Sequence, residues 1–259
     1  MVLMDLLKEV CACATLQQVW QIQRETFDSY GFDRIIYGYS RFFTPNSFGP
    51  REDILLLSNH DAKYLRSYTN DEMYFHSPMA IWAAENTGSC SWRWIRENAG
   101  LMGDQQRAVL DVNRKMGVTA GYTISFPSAT SRTRGVLAAT GRREMDQDEV
   151  DEIWVEHGRD IEVFANVTHL KMISLPIETQ RQSLTPRQRE ALEWVSDGKT
   201  TQDIATIMSV SAATVEKHLR IAREKLGVDS TAQAVAKASF FNQIYVLSGG
   251  EGSGKASSG

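Results

Sequence analysis

The spacing of apolar positions divides the chain into a mixed region and a purely helical one. A first helical stretch covers 4–13. Leu16, Val19, Trp20, Ile22 and Phe27 then mark one face of a helix over 16–29. Residues 33–42 are β-branched and aromatic and read as a strand, as do 54–57. Residues 104–116 predict a helix closed by Gly117. Two further strands, 119–126 and 135–140, flank a turn-rich stretch, and a long helix over 147–174 ends the region. Helices, then strands, then a helix returning over them predict an α–β–α sandwich around an antiparallel sheet.

Past a polar, proline-containing stretch the pattern is helical only. Thr185 is an N-cap with Pro186 in the first helical position, and that helix runs to Asp197 before Gly198. Thr201 opens a short helix to Met208. Ser211 opens a longer one through Leu226, closed by Gly227, and Ser230 opens a last one to about Phe241. The organisation is therefore 1–175 as one domain, 176–183 as a linker, 184–247 as a small all-α domain, and 248–259 as a flexible Gly/Ser-rich tail. The fold class is α+β, with no internal repeat.

Composition narrows the function classes. With 42% hydrophobic and 23% charged residues among 259, a disordered or fibrous chain is excluded. No apolar run approaches the roughly 18 residues needed to cross a bilayer, and the first residues lack the pattern of a secretory signal, so a cytoplasmic location is expected. Cys11, Cys13 and Cys90 have neither disulfide-framework nor zinc spacing and read as small apolar side chains. The net charge of −4 is uneven: residues 1–180 carry 18 Lys and Arg against 24 Asp and Glu, whereas 181–247 carry 9 against 7. That slight basic surplus permits nucleic-acid binding without requiring it. The sequence has no G-x-S-x-G, H-E-x-x-H or P-loop, and its five histidines are scattered. No enzyme, cofactor or metal site is expected.

Residues 201–219 carry the most information. Ile204, Ala205 and Met208 bury one face of a first helix, small Ala205 allows close approach, Val210 plugs the turn, and Val215 and Leu219 anchor a second helix from beneath. The outer face of that second helix is left free for a major groove, which is the geometry of a helix-turn-helix. A four-helix core without a DNA role is the plainer alternative. Leu184-Thr-Pro-Arg-Gln-Arg-Glu-Ala-Leu192, Gly198-Lys199, Ile204-Ala205, Thr214-Val215, His218 and Lys225-Leu226 together resemble the DNA-binding domain of the LuxR family. Gln188 departs from the family's usual glutamate. The resemblance implies that Glu216 and Arg220 are base-reading positions. Arg220 suits a guanine edge and Glu216 a cytosine amino group, each good pair supplying roughly 1–3 kcal/mol of discrimination. Lys217 projects from the same face. Thr201, Ser211, Thr214, Lys199 and Arg223 are placed for phosphates, with a plain cap or surface role as the equal alternative for each. A solvated Glu216–Arg220 pair is the alternative for those two residues.

The first 175 residues resemble the autoinducer-binding domain of quorum-sensing LuxR-type receptors. Tyr64, Tyr68, Ser77-Pro78 and Trp92 carry the match, with Gly31-Phe32, Gly38 and Gly121 in support. The resemblance implies an N-acyl-homoserine lactone held between the sheet and one helical layer. Strand alternation sets Ile36, Gly38 and Ser40 on one face of a strand and Leu137, Ala139 and Gly141 on one face of another. These small residues leave volume that Tyr64, Tyr68 and Trp92 wall. A filled core is the alternative. Three departures stand out: Tyr64 replaces the tryptophan that meets the lactone carbonyl, Ser77 replaces the aspartate that accepts the ligand amide, and Gly141 replaces a small polar residue. His60 falls near the pocket rim, with a surface position expected.

The reading is a DNA-binding transcriptional regulator governed by an acyl-homoserine lactone or related autoinducer. It would act as a homodimer along helix 147–174 through Ile153, Trp154, Ile161 and Phe164, with burial of these four against their own sheet as the equal alternative. Its partners are double-stranded DNA and the small molecule, with no membrane. The alternative is a ligand-independent or protein-partner-controlled LuxR-type regulator with an atypical sensor pocket.

Overall fold

A computed structural model of the chain describes residues 2–44, 47–70, 73–177 and 183–245. The predicted tail, 248–259, and most of the predicted linker lie outside the described residues. The chain divides into two compact units, Met1–Leu175 and Pro176–Gly259. Ile177, inside the stretch read as a linker, is fully buried in the second unit, where its N–H donates to the Phe241 carbonyl at 2.9 Å.

In the first unit, α1 (Leu3–Ala12) and α2 (Leu16–Ser29) precede β1 (Arg34–Ser40) and β2 (Leu55–Ser58). Four helices follow: α3 (Ala62–Asn70), α4 (Met73–His76), α5 (Pro78–Glu85) and, after β3 (Gly88–Ser91), α6 (Arg93–Glu97). Then come α7 (Asp104–Lys115), β4 (Gly121–Ser125), β5 (Arg134–Thr140) and the long α8 (Gln147–Ser174). The strands form one antiparallel sheet in the order β2-β1-β5-β4-β3. Local chemistry sets the helix starts. Thr15 caps α2 in a capping box with Gln18, and Asp146 caps α8, accepting from the N–H groups of Asp148 and Glu149.

The sheet register decides which side chains face which layer. Ile35, Tyr37, Leu137, Ala139, Tyr122 and Ile124 face α1, α2 and α8. Tyr122 stacks on Trp154 at 3.8 Å, Phe126 stacks on His169 at 4.2 Å, and the Tyr37 hydroxyl shares a 2.9 Å hydrogen bond with His169 Nδ1. Ile36 pairs with Ala138 and Arg34 with Thr140, so Val136, Ala138 and Thr140 share the opposite face with Ile36. The expectation that Ala139 and Gly141 face the same layer as Ile36 is therefore corrected by one residue of phase. Ala139 is fully buried on the α8 side, and a side chain at Gly141 would meet Val150 of α8.

On α8 the alternative of burial against its own unit is the one observed. Ile161 and Phe164 are buried and Trp154 stacks on the sheet, because these residues pack the helix onto its own unit. Val155, Val163 and Leu170 are the exposed ones.

Burial holds the imidazoles of His60 and His169 down to about 4; for His60 the nearby Arg34 cation adds to this and Asp33 opposes it. In the unfolded chain both rings take up protons near pH 6.5. The folded chain does not, so folding stability is present above about 6.5 and is lost as pH falls toward 4. At 1.36 kcal/mol per unit, each contributes about 3 kcal/mol to that loss. Denaturant titrations of the wild type should show this fall, and His169→Phe should flatten it. A pH-independent midpoint between 7 and 4 would contradict the assignment.

The second unit contains α9 (Pro186–Ser196), α10 (Thr201–Ile207), α11 (Ala212–Leu226) and α12 (Thr231–Phe240). Its core gathers Leu192, Ile204, Met208, Val215, Leu219 and Ala238, with Val210 packed against it from the turn. Gln188 completes a capping box with Thr185, so the neutral side chain does at this position what a glutamate does in other capping boxes. Thr200, not Thr201, caps α10; its hydroxyl accepts from the Asp203 N–H. Gly227, at φ 64°, closes α11 in the left-handed conformation.

Candidate ligand cavity and nucleic-acid interface

A cavity of about 460 Å³ lies between the Ile36 face of the sheet and the layer containing α3, α5 and α7. That volume is within the range of small-molecule sites, roughly 300–1,000 Å³. Tyr64 and Tyr68, one turn apart on α3, stack at 5.9 Å, and His60 stacks on Tyr64 at 4.8 Å. His60 is buried rather than on the surface, with its Nε2 3.5 Å from the Thr140 hydroxyl. Trp92, at the end of β3, donates through its indole N–H to Thr123 on β4 at 2.9 Å. Val136 and Ala138 supply the floor from β5.

The polar groups of this cavity are mostly hydroxyls and amides. Tyr64 donates to Asn113 Oδ1 on α7 at 3.0 Å, leaving the tyrosine oxygen as an acceptor and the amide NH2 as a donor. Ser77 occupies the N-cap position of α5 but makes no cap hydrogen bond; its hydroxyl contacts that of Tyr68 instead. Burial pushes the Tyr68 phenol up to about 12 and Tyr64 higher still, so both are neutral donors at physiological pH. The carboxylate among the lining residues, Asp146, is exposed and occupied in capping α8. Beside it Gln147 is buried and clamps Gly121 from both sides. Its Oε1 accepts the Gly121 N–H at 3.0 Å and its Nε2 donates to the Gly121 carbonyl at 3.2 Å.

In the second unit, α10 and α11 form the paired helices. Glu216, Lys217 and Arg220 are exposed on α11, opposite the buried Val215 and Leu219. Glu216 accepts from the Thr201 hydroxyl of α10 at 2.8 Å, and Arg220 pairs with Glu224 one turn on. The alternative Glu216–Arg220 pair is thus not formed. Ser211 caps α11 and shares a 2.8 Å hydrogen bond with the Thr214 hydroxyl. Arg223 donates to Thr231 at the start of α12, so it ties two helices together as well as lying near the outer face.

The family profile described as the autoinducer binding domain matches residues 15–172, and that of the luxR family of bacterial regulatory proteins matches 182–238. The chain belongs to the LuxR family of transcriptional regulators.

Relatives of this LuxR-family regulator include the transcriptional activator protein LuxR of Aliivibrio fischeri, 24% identical over 73% of this chain and 74% of that protein. Among solved structures, Escherichia coli SdiA aligns with a TM-score of 0.53 at 18% identity, covering 93% of this chain and 97% of that one. The N-acylhomoserine lactone dependent LuxR family factor CepR2 of Burkholderia cenocepacia aligns at 0.52 and 16% identity, covering 66% of this chain and 94% of that one. At these identities the structures establish the fold of the LuxR-family chain.

Of the ligand positions read from the sequence, Ile36, Tyr64, Tyr68, Ser77 and Trp92 line the cavity. Gly38 and Ser40 share the Ile36 face but lie outside the cavity lining, and the Ser40 hydroxyl is spent on the Phe48 carbonyl. Ala139 and Gly141 are on the far side of the sheet. Sequence reasoning missed Asn113, Thr123, Thr140 and Gln147. Asn113 shares a helical face with Leu110 and Arg114, a spacing that a search for polar residues on half-buried helix faces would find.

Proposed function

We propose that this LuxR-family regulator takes an acyl-homoserine lactone or a related neutral autoinducer in the cavity and reads a duplex through Glu216 and Arg220, with Lys217 contacting the backbone beside them. The observation that carries the reading is the joining in one chain of an aromatic-walled cavity in an autoinducer-binding domain to a helix pair whose outer face bears exposed polar side chains. The reading includes a homodimer, with Val155, Val163 and Leu170 of α8 as its apolar surface, a cytoplasmic setting and no catalysis. Among the described residues no helix is long and apolar enough to cross a membrane. A ligand at a hundredfold excess over Kd adds about 2.7 kcal/mol to the folded sensor unit, so signal is coupled to folding and thereby to pairing of the DNA-binding units.

Calorimetry of the full chain with acyl-homoserine lactones tests this. Saturable binding is expected, with a raised melting temperature and ligand-dependent association in sedimentation. Ser77→Asp is expected to tighten binding several-fold, because a charged acceptor forms roughly twice as strong a hydrogen bond to a ligand amide as a hydroxyl does. Unchanged or weaker binding in that variant would rule out the head-group pose. One observation favours a second reading. The Trp92 and Tyr64 donors are already satisfied by Thr123 and Asn113, as suits a regulator that needs no ligand and answers to a protein partner. Absence of any melting shift across the lactones would favour that alternative.

A further inference from the structure

The same face of the sheet that floors the cavity carries a second recess at its other end. Along β5, Thr140, Ala138 and Val136 line the first cavity, and Arg134, two residues before Val136, lines the second. This recess measures about 670 Å³ and shares no lining residue with the first. Its walls are apolar and aromatic: Phe43, Phe48 and Phe75, with Ile81 and Ala84 of α5. Phe43 and Phe48 meet edge to face at 5.5 Å, and Phe48 and Phe75 lie 6.1 Å apart. An aromatic body or an acyl chain fits against such rings.

Its lining carries two arginines against one glutamate. The Arg134 guanidinium lies 5.1 Å over the Phe43 ring, and its Nε–H is buried with no acceptor in the protein. The guanidinium thus lacks a protein acceptor among the described residues, and the half-buried side chain leaves its outer part within reach of an incoming anion. Arg132 lines the same recess, fixed at its backbone by its carbonyl accepting the Phe43 N–H at 2.9 Å. Among the described residues neither arginine is in an ion pair with a carboxylate. Glu85, on the α5 side, also lines the recess and is exposed to solvent. Ser131, Thr44 and Ser47 add hydroxyls.

We propose that this recess is a binding site for a small organic carboxylate with an apolar body, its head paired with Arg132 and Arg134 and its body against Phe43, Phe48 and Phe75. A planar guanidinium matches a carboxylate in two-point fashion, and the stack on Phe43 holds that plane in place. Such a ligand would sit beside the sheet independently of the autoinducer, giving the regulator a second chemical input. The proposal does not rest on the identity of the ligand in the first cavity.

The test is calorimetry of the full-length protein with sodium octanoate, with octan-1-ol as the uncharged control, each repeated in the presence of saturating octanoyl-homoserine lactone. The expected result is saturable one-to-one binding of octanoate that the lactone does not displace, with octan-1-ol at least tenfold weaker. Arg132→Gln and Arg134→Gln should each weaken octanoate at least tenfold. Arg132 is exposed, so if Arg134→Gln lowers the melting temperature, Arg132→Gln alone decides. Three results each overturn the proposal: no saturable binding, full displacement by the lactone, or octanoate affinity unchanged in Arg132→Gln.

Discussion

Replacing Gly121 with alanine is expected to destabilise the first unit by about 3 kcal/mol or more, the upper range for forcing atoms into a packed interior. A Cβ at this position would lie inside contact distance of the Ala139 carbonyl oxygen and 3.0 Å from the Trp92 ring. The carbonyl belongs to the neighbouring strand and the ring is held by Thr123, so neither moves cheaply. Gln147 also fixes the backbone of Gly121 on both sides, leaving the strand no freedom to shift. Gly38 is the contrast. A Cβ there meets nothing within 4 Å, so Gly38→Ala should change stability by less than about 0.5 kcal/mol. Urea denaturation of the two variants separates the cases; equal midpoints would show that the sheet yields at β4.

Arg220→Ala is expected to weaken binding to the preferred operator by about tenfold to a hundredfold, corresponding to roughly 1–3 kcal/mol. Affinity for unrelated duplex should hardly change. The folded unit should be unaffected, because the Arg220–Glu224 pair it removes is exposed and a pair of this kind adds only about 0.2–0.5 kcal/mol. Lys217→Ala should behave differently, lowering affinity for all sequences together and flattening the salt dependence. Anisotropy titrations with operator and scrambled DNA at two salt concentrations distinguish them. Equal losses on both DNAs in Arg220→Ala would make Arg220 a phosphate contact.

The features legible in the sequence are those set by neighbouring residues. Thr185, Ser211 and Ser230 announce helix starts because a cap needs only the next three residues. The helix-turn-helix is legible because its anchors, Ile204 to Leu219, lie within sixteen positions. What escaped is set by partners far along the chain. Strand β3, Gly-Ser-Cys-Ser, has no apolar alternation, and only its pairing with β4 makes it a strand. Helix α3 has a polar sequence whose two tyrosines matter because the sheet lies beneath them. The face assignment on β5 failed for the same reason. Alternation reveals that a strand has two faces, while the register Ile36–Ala138 decides which one looks into the cavity, and a slip of one residue exchanges them. His60 does line the cavity, but its burial was not legible because it comes from Tyr64 stacked above it and Thr140 across the sheet.

Gln147 stands at a junction. It borders the cavity, stitches α8 to β4, and begins the helix that further along exposes Val155 and Leu170. If the proposed ligand cavity and α8 dimer surface both hold, a genetic screen that scores reporter output will return substitutions here with mixed phenotypes, loosening signal capture and subunit contact together. Separating those two traits requires lesions away from this junction: Tyr68 on α3 for the first and Leu170 near the end of α8 for the second.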